Sequence, residues 1–121
     1  MVQQASLQTI SSYDIPDNHS SIYLKRKGIY QRIQPNDILY VEADGDYTIV
    51  YTEDYKCHSS SRLLEMEDKL LPEGFLKVHR SYLINPEKVE AIDKRQALLT
   101  IRGYQIPVSR RLKKQVLGYL M

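Results

Sequence analysis

Across residues 22–34, β-branched and aromatic side chains alternate with charged and polar ones on either side of Gly28, a period of two that predicts two short strands around a tight turn. Pro35-Asn36-Asp37 interrupts the alternation, and the apolar run over residues 38–43 reads as a more deeply buried strand. Asp44-Gly45-Asp46 is a strong hairpin signal into a strand over residues 47–52. Glu53-Asp54 marks another turn, followed by a short strand over residues 56–59. The period then changes. Between Ser61 and Leu71 the apolar positions Leu63, Leu64, Met66, Leu70 and Leu71 share a helical face, with Ser60 or Ser61 as the cap and Pro72-Glu73-Gly74 as the stop. After Phe75 the chain reads extended over residues 82–84, 89–93, 98–101 and 104–108, with Gly103 at a turn. A final helix is predicted from Ser109, its N-cap, with Leu112, Val116, Tyr119 and Leu120 on one face and Arg110, Lys113 and Lys114 on the other. The fold class is therefore mainly β, with one or two short helices.

Residues 1–20 are rich in Gln, Ser, Asn and Asp with little periodicity, so they read as a polar arm or linker ahead of a folded unit over residues 21–121. At 121 residues there is room for a single domain. No apolar run approaches the ~20 residues of a membrane-spanning helix, and the N-terminus lacks the apolar segment of a secretory signal. A soluble, cytoplasmic protein is expected. The lone Cys57 has no second thiol for a disulfide or zinc cluster, which suits a reducing compartment.

Charge sharpens the picture once the chain is divided. Residues 1–74 carry 7 basic and 12 acidic side chains, whereas residues 75–121 carry 10 basic and 3 acidic. A strongly basic C-terminal half is the electrostatic footprint of a polyanion binder. The last helix adds to it, because Lys113 and Lys114 fall where the helix dipole disfavours cations, and an anionic partner such as phosphate would relieve that conflict.

Catalytic and metal chemistry finds little support. His19, His58 and His79 lack the paired spacing of a metal site, and Cys57 and His58 point to opposite faces of a strand. Glu42, Asp44 and Asp46 gather carboxylates around Gly45 without the remaining ligands of a calcium loop. There is no Gly-x-Ser-x-Gly elbow and no glycine-rich phosphate loop. No enzyme activity, cofactor, metal or small-molecule substrate is expected.

Three stretches in order decide the matter: Asp37-Ile-Leu-Tyr-Val-Glu-Ala-Asp-Gly-Asp-Tyr-Thr, then Phe75-Leu-Lys-Val-His-Arg-Ser-Tyr-Leu-Ile-Asn-Pro, then Ile106-Pro-Val-Ser-Arg-Arg-Leu-Lys. Together they resemble the LytTR family of DNA-binding domains, found in the accessory gene regulator type of response regulator, with His79-Arg80-Ser81 and the Pro-Val-Ser-Arg run as the most specific elements. The resemblance implies elongated antiparallel β-sheets with short helices. It also implies sequence-specific binding of double-stranded DNA through loops inserted in successive major grooves, with two half-sites bound by two copies and a possible homodimer. By position it assigns base reading to Arg80, Arg110 and Thr48, and backbone contact to His79, Ser81, Ser109, Arg111, Lys113 and Lys114. His79 can instead hold the loop by hydrogen bonding, Tyr47 is expected to pack, and Asn85 to bond the backbone of a turn. The best-studied relative has a histidine near the position of Thr48, which implies a different base preference here. Family members usually follow a receiver domain about as large as this chain, so residues 1–20 correspond to an arm or the remains of a linker.

The competing function is a protein-interaction module of the same fold, using a free sheet edge. Arg80, Arg110, Lys113 and Lys114 favour DNA, and a steep loss of binding with salt distinguishes the two.

Overall fold

The computed structural model describes residues 21–121. The expected polar arm and His19 lie outside the described residues. Among the described residues, ten strands run as β1 (Ile22–Arg26), β2 (Ile29–Ile33), β3 (Ile38–Asp44), β4 (Tyr47–Thr52), β5 (Lys56–Ser59), β6 (Leu76–His79), β7 (Tyr82–Ile84), β8 (Ala91–Asp93), β9 (Leu98–Ile101) and β10 (Tyr104–Pro107). Helix α1 (Leu63–Leu70) divides β5 from β6, and α2 (Lys113–Leu120) closes the chain. The strands form three antiparallel sheets: β1-β2, a central β5-β4-β3-β7-β6, and β10-β9-β8.

The central sheet is covered on both faces. Val41, Val50, Cys57 and Leu83 meet Ile22, Leu24 and Ile33 of the first hairpin and Leu63, Met66 and Leu70 of α1. Leu39, Tyr40, Tyr51, Val78 and Ile84 meet Leu99, Ile101, Ile106 and Val108 of the third sheet and Val116 of α2. Burial on both faces explains why β3 reads as a continuous apolar run. A register shift between Ile38 and Tyr40 breaks strict alternation, placing Leu39 and Tyr40 in one cluster while Ile38 and Val41 join the other.

Several boundaries differ from the sequence expectations for local reasons. The side chains of Ser59 and Ser60 donate to the Lys25 carbonyl at 3.2 and 3.1 Å, so the serines tie β1 to β5. The start of α1 is closed by Glu65, whose carboxylate accepts from the Arg62 N–H at 2.8 Å, and Ser60 and Ser61 do not cap it. The buried face of α1 narrows to Leu63, Met66 and Leu70, leaving Leu64 exposed. Ser109 caps a turn and not α2: its hydroxyl and carbonyl oxygens accept from the Leu112 N–H at 3.2 and 3.1 Å, and the helix starts only at Lys113. Leu117 replaces Tyr119 on its buried face. Asn85 behaves as expected, with its side chain accepting from the Glu87 N–H and donating to the Ile38 carbonyl, both at 3.1 Å. A strand at Leu76–His79 adds to those predicted, completing a hairpin around Arg80-Ser81.

Candidate nucleic-acid interface

Strand direction collects several turns at one end of the molecule. The Ala43 N–H donates to the Ser81 carbonyl at 2.8 Å, which sets the β6–β7 turn beside the end of β3 that leads into the Gly45-Asp46 turn. The Ser109 N–H donates to the Val78 carbonyl at 2.8 Å, bringing the basic C-terminal segment alongside β6. The Val108 N–H donates to the Ala97 carbonyl at 2.9 Å, which adds the β8–β9 turn with Lys94 and Arg95. Arg80, Arg110, Arg111, Lys114, Lys94 and Arg95 are all exposed there, while Ser81, Ser109 and Lys113 are half-buried.

The paired cations of residues 75–121 lie elsewhere. Arg102, in the β9–β10 turn at the far end of that hairpin, donates two hydrogen bonds to Glu53 at 2.9 and 2.8 Å and one to Glu90 at 2.7 Å. Lys88 also reaches Glu53, and Lys77 pairs with Glu67 at 2.7 Å. Arg102 raises its own affinity for its proton through these bonds and holds the Glu53 carboxyl below its usual range. Among the described residues, the basic side chains of residues 75–121 that form no ion pair are the ones at the turn end: Arg80, Lys94, Arg95, Arg110, Arg111, Lys113 and Lys114. Unpaired cations gathered on one surface produce the field that attracts a polyanion.

The Arg80 turn is braced from behind. His79 Nδ1 accepts from the Ser81 N–H at 3.1 Å, a bond that places the proton of a neutral ring on Nε2 and leaves that nitrogen a donor. The Tyr82 ring meets His79 edge-on at 5.5 Å. Glu42 in turn accepts from the hydroxyls of Tyr82 at 3.1 Å and Tyr51 at 2.9 Å. Burial, followed by the bond to Glu42, pushes both hydroxyls to titrate above the ordinary tyrosine range, so they remain donors. Tyr51 stacks on Tyr40 at 4.2 Å, joining the brace to the core.

The β3–β4 hairpin departs from expectation. Thr48 is 0% exposed, and its hydroxyl has no hydrogen-bond partner among the described residues, so it is not on the surface that base reading requires. Tyr47, expected to pack, is 56% exposed. Both follow from alternation along β4: the residue next to the turn faces outward and the following one inward. Asp46 is engaged by Arg62 at 3.6 Å. The sequence reading missed Lys94 and Arg95, whose signal was a charged pair within an Asp-Lys-Arg-Gln turn. Their position beside Ser109 depends on β9 pairing with β10. Cys57 is buried and His58 exposed, on opposite faces of β5 as predicted. No helix among the described residues is long and apolar enough to cross a membrane.

Comparison with known proteins agrees with this geometry. The family profile described as LytTr DNA-binding domain matches residues 28–121. The CO-responsive transcriptional regulator RcoM of Rhodospirillum rubrum is 34% identical over 88 residues, covering 69% of this chain and 37% of that protein. The sensory transduction protein LytT of Bacillus subtilis is 31% identical over 88 residues, covering 69% of this chain and 36% of that protein. The chain thus spans little more than a third of the length of these curated relatives. Among solved structures, a LytTr DNA-binding domain of a methyl-accepting/DNA response regulator from Bacillus cereus superposes with a TM-score of 0.65 at 27% identity, covering 83% of this chain and 94% of that one. The profile match, the sheet order and the turn end together show that the chain belongs to the LytTR family of DNA-binding domains.

Proposed function

We propose that the chain binds double-stranded DNA sequence-specifically as the output domain of a cytoplasmic transcription regulator, with two copies on two half-sites and its turns entering successive major grooves. The observation that carries this reading is that, among the described residues, the cations of residues 75–121 that enter no ion pair gather at the turn end, with Arg80 and Arg110 exposed among them. Arg80 and Arg110 read base edges, because a guanidinium can donate two parallel hydrogen bonds to guanine. His79, Ser81, Ser109, Arg111, Lys113 and Lys114 hold the sugar-phosphate backbone, joined by Lys94 and Arg95. His79 acts first as a brace of the turn, through its bond to the Ser81 N–H, and through Nε2 as a phosphate donor.

Selection of bound fragments from random duplexes supplies the site. Arg80→Ala then lowers affinity for that site by about 5- to 150-fold, equivalent to about 1–3 kcal/mol, and changes binding to a scrambled duplex much less. Lys113→Ala or Lys114→Ala weakens both duplexes alike and lowers the salt slope by about one unit. Equal loss on both duplexes for Arg80→Ala would remove it as a base reader. Parent-like binding by all three variants would defeat the assignment of this surface. A second reading is favoured by the exposed Tyr23 and Tyr30, which share one face of the first hairpin and suit a protein partner. Binding that is insensitive to salt would move it ahead.

A further inference from the structure

The first hairpin carries its own basic turn. β1 and β2 join through Lys27 and Gly28, both left-handed at φ 51° and 80°. The Lys25 carbonyl accepts from the Ser60 N–H at 2.8 Å and from the Ser59 and Ser60 hydroxyls, which pins this turn beside the end of β5. That end of β5 pairs with the start of β4, since Ser59 faces Thr48, so the Arg26-Lys27 turn opens at the same end of the molecule as Arg80. Between it and the β3–β4 hairpin lies a cleft of about 520 Å³, lined by Arg26, Lys27, Asp44, Tyr47, His58, Ser59 and Ser60.

The lining favours an anion. Arg26, Lys27 and His58 are exposed and enter no ion pair among the described residues, Asp44 is the acid facing them, and neighbouring Asp46 is held by Arg62. Tyr47 presents its exposed ring at the rim, where its hydroxyl is a donor. In the central sheet β4 and β3 separate β5 from β7, so the cleft and the Arg80 turn lie about 15–20 Å apart at an interstrand spacing of about 4.8 Å. That separation is enough for one duplex to reach both without their sharing a phosphate.

We propose that this cleft seats a backbone phosphate of the bound duplex, outside the bases read through Arg80, with Arg26 and Lys27 supplying charge and Tyr47 and His58 supplying hydrogen bonds. The proposal rests on the duplex-binding reading and extends its surface into the N-terminal half, where net charge is negative. The site gives affinity without sequence preference, because a phosphate carries no base identity.

The test compares the parent with an Arg26→Gln, Lys27→Asn double variant. Asparagine keeps the left-handed backbone that the turn needs. Arg32→Gln is the control, removing one charge from the same small sheet on the strand that leads away from the turn. Affinity for the selected and a scrambled duplex is measured across salt concentrations, with thermal melting to establish folding. The double variant loses about one unit of salt slope and roughly 8-fold in affinity at about 0.1 M salt on both duplexes, while Arg32→Gln keeps the parent slope. Single neutral methylphosphonates placed along the duplex then weaken the parent at a phosphate outside the Arg80 bases and leave the double variant unaffected there. A parent-like slope in the double variant, with Arg80→Ala still losing specificity, overturns the cleft and leaves the duplex reading standing. Failure of the parent to bind any duplex overturns both.

Discussion

Thr48→Val puts the resemblance and the structure in direct opposition. Family position assigns this side chain to base reading, whereas the structure buries it within β4, between Ala43 and Ser59 on the flanking strands. Its hydroxyl has no partner among the described residues, and a buried polar group left unpaired costs about 1–3 kcal/mol. For a small hydroxyl the lower part of that range applies, about 1–2 kcal/mol. Valine keeps the branched shape and strand preference while replacing the hydroxyl by a methyl group. At about 2.1 cal/mol/K per residue, a unit of about 100 residues has an unfolding entropy that turns each kcal/mol into about 5 °C. The expected Tm increase is therefore about 5–10 °C, read by differential scanning calorimetry or by circular dichroism melting. Affinity for a selected duplex stays within about twofold of the parent, since no contact is lost. A variant that melted at or below the parent temperature and bound its site tenfold more weakly would refute the burial argument and restore the hydroxyl to the interface.

Three further outcomes follow from the same geometry. Tyr82→Phe removes one of the two donors to Glu42, costing about 1 kcal/mol by chemical denaturation, and it lowers affinity for the selected duplex more than for a scrambled one, since Tyr82 braces the Arg80 turn. Equal loss on both duplexes would make Tyr82 purely structural. Burial, then the adjacent Tyr51, raises the Tyr40 pKa far above its usual value, so the stability this residue contributes is present at neutral pH and falls as pH climbs beyond about 10. Tyr40→Phe therefore flattens the alkaline decline of the urea midpoint, and an unchanged slope would exclude Tyr40 as its source. Arg102→Ala lowers thermal stability without changing DNA affinity, because its partners Glu53 and Glu90 sit away from the turn end. Arg102 depresses the Glu53 pKa, so the stability from that pair is present above the ordinary carboxylate range and lost as pH falls through the lowered value. The melting difference between parent and variant accordingly narrows in acid, and a difference independent of pH would exclude the carboxylates.

Sequence alone determined most of the elements, though not the strand at Leu76–His79, because alternation, helical spacing and turn chemistry act over a few residues. The hairpins at Gly28, Gly45 and Gly103, the helical face of Leu63, Met66 and Leu70, and the turn at Asn85 were all legible in this way. So was the family, through the order of three short motifs. Tertiary structure decided which groups face a common partner, since that depends on strand order and not on spacing along the chain. The register shift in β3 sends Leu39 and Tyr40 into one core while Ile38 enters the other. Pairing of β4 between β3 and β5 turns Thr48 inward and Tyr47 outward. Ion pairing withdraws Lys77, Lys88 and Arg102 from a basic half that looked uniform in composition, while the bonds from Val108 to Ala97 and from Ser109 to Val78 bring Lys94 and Arg95 beside Arg110. Summed charge marked a polyanion binder, but only hydrogen bonds between distant strands could determine which of its cations face the same way.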